Sequence, residues 1–242
     1  VQQLFPRWTN ALPTALLIGL IVSLVLVVGV VTYYFTPKYW EVGYQPKQPI
    51  AYSHQLHAQQ LGIDCRYCHS HVEESRVANI PSPSVCMNCH TVVDEKTGYL
   101  QLATSPDGQK PSKHWENPEL AKLRQAYASG TPIQWRRVHK LPDYVQFNHA
   151  VHVNAGVSCY SCHGRVDQMP EVHQVEPLSM AWCLECHRAP EKNLVDTSQI
   201  PVTHLWDVEK TLSQPEYAQK IGARLKEQLW NEPSQSCSAC HY

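Results

Sequence analysis

Five times in 242 residues the sequence places two cysteines three positions apart and a histidine directly after the second. The units are Cys65-x-x-Cys68-His69, Cys86-x-x-Cys89-His90, Cys159-x-x-Cys162-His163, Cys183-x-x-Cys186-His187 and Cys237-x-x-Cys240-His241. They use all ten cysteines. Nine further histidines lie outside them, and four of these form a second pattern, H-x-x-H, upstream of a motif. It reads "YSHQLHAQQLGIDCRYCH" at 52–69 and returns as "FNHAVHVNAGVSCYSCH" at 147–163.

Cys-x-x-Cys-His is the attachment motif of c-type haem. Two thioethers hold the two vinyl edges of the porphyrin, and the next residue turns its imidazole to the iron from one face. Zinc ribbons join Cys-x-x-Cys units in pairs, so five leave an orphan, and zinc needs no histidine beside each pair. Loop-stapling disulfides do not keep one regular spacing, and a thioredoxin-like redox site uses one such motif. The cysteines therefore imply five covalently bound c-type haems, with His69, His90, His163, His187 and His241 as proximal iron ligands.

Five six-coordinate irons need five more ligands. Residues i and i+3 of a helical turn lie about 60° apart in projection, so both imidazoles of H-x-x-H face inward but diverge. His54, His57, His149 and His152 are thus expected as distal ligands. Small tri- and tetrahaem cytochromes carry a similar F-x-H-x-x-H segment. By that resemblance His54 serves the haem of Cys65 and Cys68, and His149 that of Cys159 and Cys162. His57 and His152 each reach a neighbour. His139, His71 and His204 are further candidates, with His114 and His173 behind them, and Met180 could supply a thioether that raises its haem's potential. Met87 is read as packing. Offsets of 95 residues from His54 to His149, 94 from Cys65 to Cys159 and 97 from Cys86 to Cys183 mark a duplicated dihaem unit. The fifth motif stands apart and takes its distal ligand from elsewhere.

The elements that hold these residues follow from composition. Eighteen prolines against ten glycines predict rigid, irregular chain. Thr14–Phe35 carries no charge over twenty-two residues, a helix about 33 Å long against a bilayer core of about 30 Å. Trp8 on one side and Tyr33, Tyr34, Tyr39 and Trp40 on the other fit an aromatic belt. A cleavable secretory signal has a shorter apolar run and a small-residue cleavage site. Gly19 and Ser23 form a weak small-x-x-x-small pair. The fold class expected is a multihaem cytochrome c, mainly α and irregular coil wrapped around five c-type haems, with one N-terminal transmembrane helix. Its parts are an N-terminal segment at 1–13, the span at 14–35, a linker at 36–50, dihaem unit 1 at 51–90, and an insertion at 91–146. Dihaem unit 2 follows at 147–190 and a segment with the fifth haem at 191–242.

Within the insertion, 105–118 reads as a surface loop. A helix follows to a stop at Gly130, with Leu120, Leu123 and Tyr127 on one side. A second packing helix is predicted at 215–230, with a stripe of Tyr217, Ile221, Leu225 and Leu229. The formal charge of −1 and the absence of basic runs give no footprint for nucleic acid. Covalent haem of this type is attached outside the cytoplasm. That places the haem domain on the periplasmic or extracytoplasmic side of the cell inner membrane, single-pass, with the N-terminus inside.

The segments "GIDCRYCH", "NPELAKLRQAYASGTPIQWRRVHKLPDYVQFNHAVHV" and "EPLSMAWCLECHR" resemble the pentahaem cytochrome c subunit of bacterial alternative complex III over essentially the whole chain. The resemblance implies an electron-transfer subunit without catalysis of its own. Its partners would be an iron–sulfur subunit, polytopic quinol-binding subunits and further cytochrome c subunits. The acceptor would be a soluble cytochrome c, a copper protein or a terminal oxidase, and the anchor would lie in membrane lipid. Two alternatives remain. A small membrane-anchored multihaem quinol dehydrogenase lacks the fifth motif and the long insertion. A multihaem reductase of a small nitrogen oxide has a Lys-ligated motif or a ligand deficit.

Overall fold

The computed structural model describes residues 5–35, 41–90, 118–229 and 232–241. A 3-10 turn, Arg7–Ala11, leads into helix α1, Leu12–Phe35. Pro13 sits in the first turn, where its missing N–H costs nothing. At 1.5 Å per residue, α1 spans about 36 Å. None of its residues is buried against the rest of the chain, and it is apolar on every side. It is long and apolar enough to cross a membrane. The belt residues Tyr39 and Trp40 lie outside the described residues.

Beyond α1 the fold is a set of short helices joined by irregular chain, with no strand among the described residues and two isolated bridges, Val145 to His241 and Val157 to Leu194. Each motif lies on or at the end of its own helix: α3, Cys65–Cys68; α4, Pro83–His90; α7, Tyr160–His163; α8, Met180–Arg188; α11, Cys237–Cys240. The two H-x-x-H segments form single short helices. α2, Gln55–Gln60, is a π-type turn capped by His54, and α6 is His149–Asn154.

The two units are crossed. Gln55 N–H of unit 1 donates to Met169 O, just past the first motif of unit 2, at 3.1 Å. In return, Ala150 N–H donates to Ser75 O at 3.1 Å and His149 N–H to Arg76 O at 3.2 Å, just past the first motif of unit 1. Asn154 Nδ2 adds a bond to Glu73 O at 2.9 Å. Each imidazole-bearing helix is therefore fixed by the other unit.

The apolar core is small and divided. Val72, Val153, Val195, Val202 and Val208 form one cluster, and Met87, Leu120 and Leu123 a second. The second joins motif helix α4 to α5, Pro118–Ser129, and Met87 packs there. Tyr127, expected on the same face, is 51% exposed, so α5 presents one turn rather than two to its neighbour. The loop at 105–118, apart from Pro118, lies outside the described residues. Helix α9, Leu205–Leu212, closes the first cluster through Val208 and Leu212. The helix predicted at 215–230 is present as 215–228, here α10, with a π turn at Ala218–Gly222. Gly222 explains the irregularity: it lies against the Glu191 carbonyl, and a Cβ there would run into that oxygen.

Candidate functional site

Each motif helix of the two H-x-x-H units that is capped by a side chain begins on a small polar residue that sequence reasoning did not single out. Asp64 accepts from Arg66 N–H at 2.9 Å, Ser158 from Tyr160 N–H at 3.2 Å, and Ser179 from Trp182 N–H at 3.3 Å. A Ser, Thr or Asp before an apolar turn is a helix-start signal, and it was there to be read. Two of these caps also staple the motifs to 202–203. Asp64 accepts from Thr203 Oγ1 at 2.8 Å, and Ser158 Oγ donates to Val202 O at 2.5 Å. The hydrogen bond from Arg66 is the main cause that draws the Asp64 carboxyl down to about 2. Because its folded pKa is depressed, its contribution to stability is complete above about pH 4 and is lost as the pH falls toward 2. Asp64→Ala is expected to cost about 0.5–2 kcal/mol, and Asp64→Asn less because the amide oxygen keeps the cap. Thermal unfolding of the two variants at pH 7 checks the order.

The H-x-x-H helices repeat one geometry in detail. In unit 1 the Tyr52 ring meets His54 edge-on at 4.9 Å and stacks on His57 at 4.4 Å, and His57 lies 6.1 Å from His90. In unit 2 Phe147 meets His149 edge-on at 4.8 Å and stacks on His152 at 4.6 Å, and His152 lies 6.1 Å from His187. The aromatic residue two positions before the first histidine wedges the pair apart. Thus His57 is brought to the second motif of unit 1 and His152 to the second motif of unit 2.

The separation of 6.1 Å is too wide for ring contact. An imidazole nitrogen lies about 2 Å from a bound metal such as zinc, so two rings sharing one ion have centres on the order of 6 Å apart. The other ring nitrogens are anchored. His57 Nδ1 is 2.8 Å from Ser53 O, His152 Nδ1 2.7 Å from Asn148 O, His69 Nδ1 2.6 Å from Asn79 O, His149 Nδ1 2.9 Å from Arg76 O, and His187 Nδ1 2.6 Å from Ser234 O. A carbonyl partner makes Nδ1 the donor and leaves Nε2 the lone pair, the tautomer that binds a metal. The residues present therefore fit an iron porphyrin held by two imidazoles and two thiols.

In the middle of the molecule the imidazoles gather. Burial first, then neighbouring imidazoles, draws His163 down to about 3 and both His54 and His139 to about 4. Burial also lowers His152. These rings are neutral at physiological pH, as ligation requires. His54 stands near His69, and His163 near His149. The His54 Nδ1 is buried with no hydrogen-bond partner among the described residues. His163 also departs from the carbonyl pattern, since its Nδ1 lies 3.2 Å from His139 Nε2.

The remaining candidates are placed differently. His204 is exposed at the start of α9, with Nδ1 3.7 Å from Asp207 Oδ2. His71 is exposed beside motif 1, and Met180 is 65% exposed at the start of α8. His173 lies near His139. His114 lies outside the described residues. His241 stacks on Tyr144 at 5.8 Å, and the structure brings no second histidine to it among the described residues. No disulfide joins any of the ten cysteines.

Repeated attachment motifs, paired imidazoles and a divided apolar core are the features a multihaem c-type cytochrome requires, and the described residues are mostly helical. Residues 36–113 match the class III cytochrome c family. A stretch of 119 residues is 31% identical to the menaquinone reductase, multiheme cytochrome c subunit, of Nitratidesulfovibrio vulgaris. It covers 49% of this chain and 47% of that protein, so the chain spans about half the length of the curated relative it matches.

Proposed function

We propose that this chain is a membrane-anchored pentahaem c-type cytochrome of the alternative complex III kind. It passes electrons along its haems from a quinol-oxidising membrane complex to a periplasmic or membrane acceptor. The observation that carries the reading is the twofold occurrence of two imidazoles held 6.1 Å apart across a motif. Haem supplies one-electron redox chemistry at such sites. The chain's residues would hold the iron between imidazole pairs at motifs 2 and 4, with Nδ1 of His57, His152 and His187 fixed by backbone carbonyls so that Nε2 is left to bind. His54 and His149 are assigned to the first motif of their own units, His57 and His152 to the second. Helix α1 serves as the anchor, with the haem domain on the extracytoplasmic side.

The menaquinone reductase name of the relative supports a quinone-linked role and favours one second reading, the same chain working in the direction of quinone reduction. Membranes carrying the full-length protein separate the readings. With a quinol analogue added, the haem absorbance should shift to the reduced form only in preparations that retain membrane partners. Reduction of the isolated chain by quinol would instead identify a small self-sufficient quinol dehydrogenase. Net flow from reduced acceptor to quinone would establish the second reading.

A further inference from the structure

The five motifs occur in the sequence as 1, 2, 3, 4, 5, but their contacts run in another order. Motif 2 touches motif 1: Asn88 Nδ2 donates to Tyr67 Oη at 3.0 Å, and Cys68 lies within electrostatic range of Cys86 and Cys89. Motif 1 in turn lies beside motif 3: Asp64, next to Cys65, accepts from Thr203 Oγ1 at 2.8 Å, and Ser158, next to Cys159, donates to Val202 O at 2.5 Å. This junction is the one the crossed backbone bonds at 55, 75 and 76 and the staple at 202–203 hold together. On the far side of motif 3, His152 of the helix that leads into it lies 6.1 Å from His187 of motif 4, and Cys162 is within electrostatic range of Cys183 and Cys186. Motif 4 meets motif 5 through Cys183 and Cys240, and His187 Nδ1 bonds Ser234 O just before Cys237.

We infer that the haem sites form a single row in the order 2–1–3–4–5, with motifs 2 and 5 as its two terminals. This rests on the electron-transfer reading above and adds to it the path. The first two motifs are traversed backwards because the units join head to head through their first motifs. Exposure agrees with the ends: Cys89 of motif 2 and Cys237 of motif 5 are exposed, whereas the other eight cysteines are partly covered. The tether runs past motif 2. Ile50 and Cys86 both pack against the cluster of Met87, Leu120 and Leu123. Ala51 N–H donates to Glu119 Oε2 at 2.9 Å, and Lys122 Nζ to Pro49 O at 3.3 Å, fixing the tether to α5 beside that motif. Nearer α1 the chain holds to unit 2, where Gly43 N–H donates to Gln174 O at 2.7 Å, so the tether sets no order between the two terminals, motifs 2 and 5. Electrons enter and leave singly at these two sites, each transfer oxidising one site as it reduces the next. Motif 3 exchanges with no outside carrier.

Two measurements on the full-length haemoprotein test the order. The first is location of the irons by anomalous scattering at the iron edge, or in a cryo-electron microscopy map. The iron at His163 should lie between those at His69 and His187, with those at His90 and His241 at the ends. Any other order, or a branch, overturns the inference and leaves electron transfer standing. Motifs without iron overturn the functional reading itself. The second measurement uses Cys237→Ser with Cys240→Ser, both at the exposed end. Pyridine haemochrome absorbance should fall by one haem per chain, and in a redox titration the midpoint of one remaining haem should shift. Shifts at two or more haems would mean that motif 5 has several neighbours, which contradicts its terminal place.

Discussion

His152→Ala is expected to convert one haem per chain from low-spin to high-spin in the oxidised protein. The ring of His152 faces His187 at 6.1 Å and is held there by Phe147 and by the carbonyl of Asn148. Alanine removes the second axial nitrogen, and nothing in the described surroundings replaces it. His57→Ala should do the same at His90, because unit 1 repeats the geometry with Tyr52 in place of Phe147. His204→Ala supplies the control. Its ring is exposed and turned to Asp207, so the spectrum should not change. Electron paramagnetic resonance reads all three variants. A change in His204→Ala with none in His152→Ala would reverse the assignment.

The second large effect concerns folding without the cofactor. Eleven apolar side chains are buried among the described residues, and eight of them are split between two separate clusters. The motif helices are four to nine residues long, below the length at which isolated helices persist in water. Their stability has to come from what they pack against, and the space between the paired imidazoles is where it would come from. As with small metal-dependent domains, cofactor attachment and folding should be one event. The chain produced where haem is not attached is expected to show no cooperative thermal transition by circular dichroism beyond that of α1. A sharp transition with the helix content of the holoprotein would refute this.

Local chemistry was legible in the sequence because it is written at fixed spacing. The attachment motifs, the H-x-x-H pairs and the apolar span each need only neighbours in the chain. The pairing of His57 with His90 was not legible. It depends on a helical turn of one segment meeting a motif more than thirty residues later, and only the wedge of Tyr52 sets the direction. The crossing of the units was hidden for the same reason, since the bonds from Gln55 and Ala150 are backbone bonds that no side-chain pattern announces. Tyr127 shows the opposite failure: its heptad-like spacing pointed inward, but the surface it faces ends one turn earlier. In α10 the apolar stripe was read correctly as a helix, while the π turn came from Gly222, whose lack of a Cβ lets the Glu191 carbonyl approach.

Whether ten thiols and the paired imidazoles hold tetrapyrrole iron is settled most directly by counting haem with pyridine haemochrome and recording electron paramagnetic resonance on the same oxidised sample. Five covalently bound haems per polypeptide with predominantly low-spin ferric signals is the expected result. Zinc or unmodified thiols in place of haem, or a spectrum dominated by high-spin iron, would contradict it.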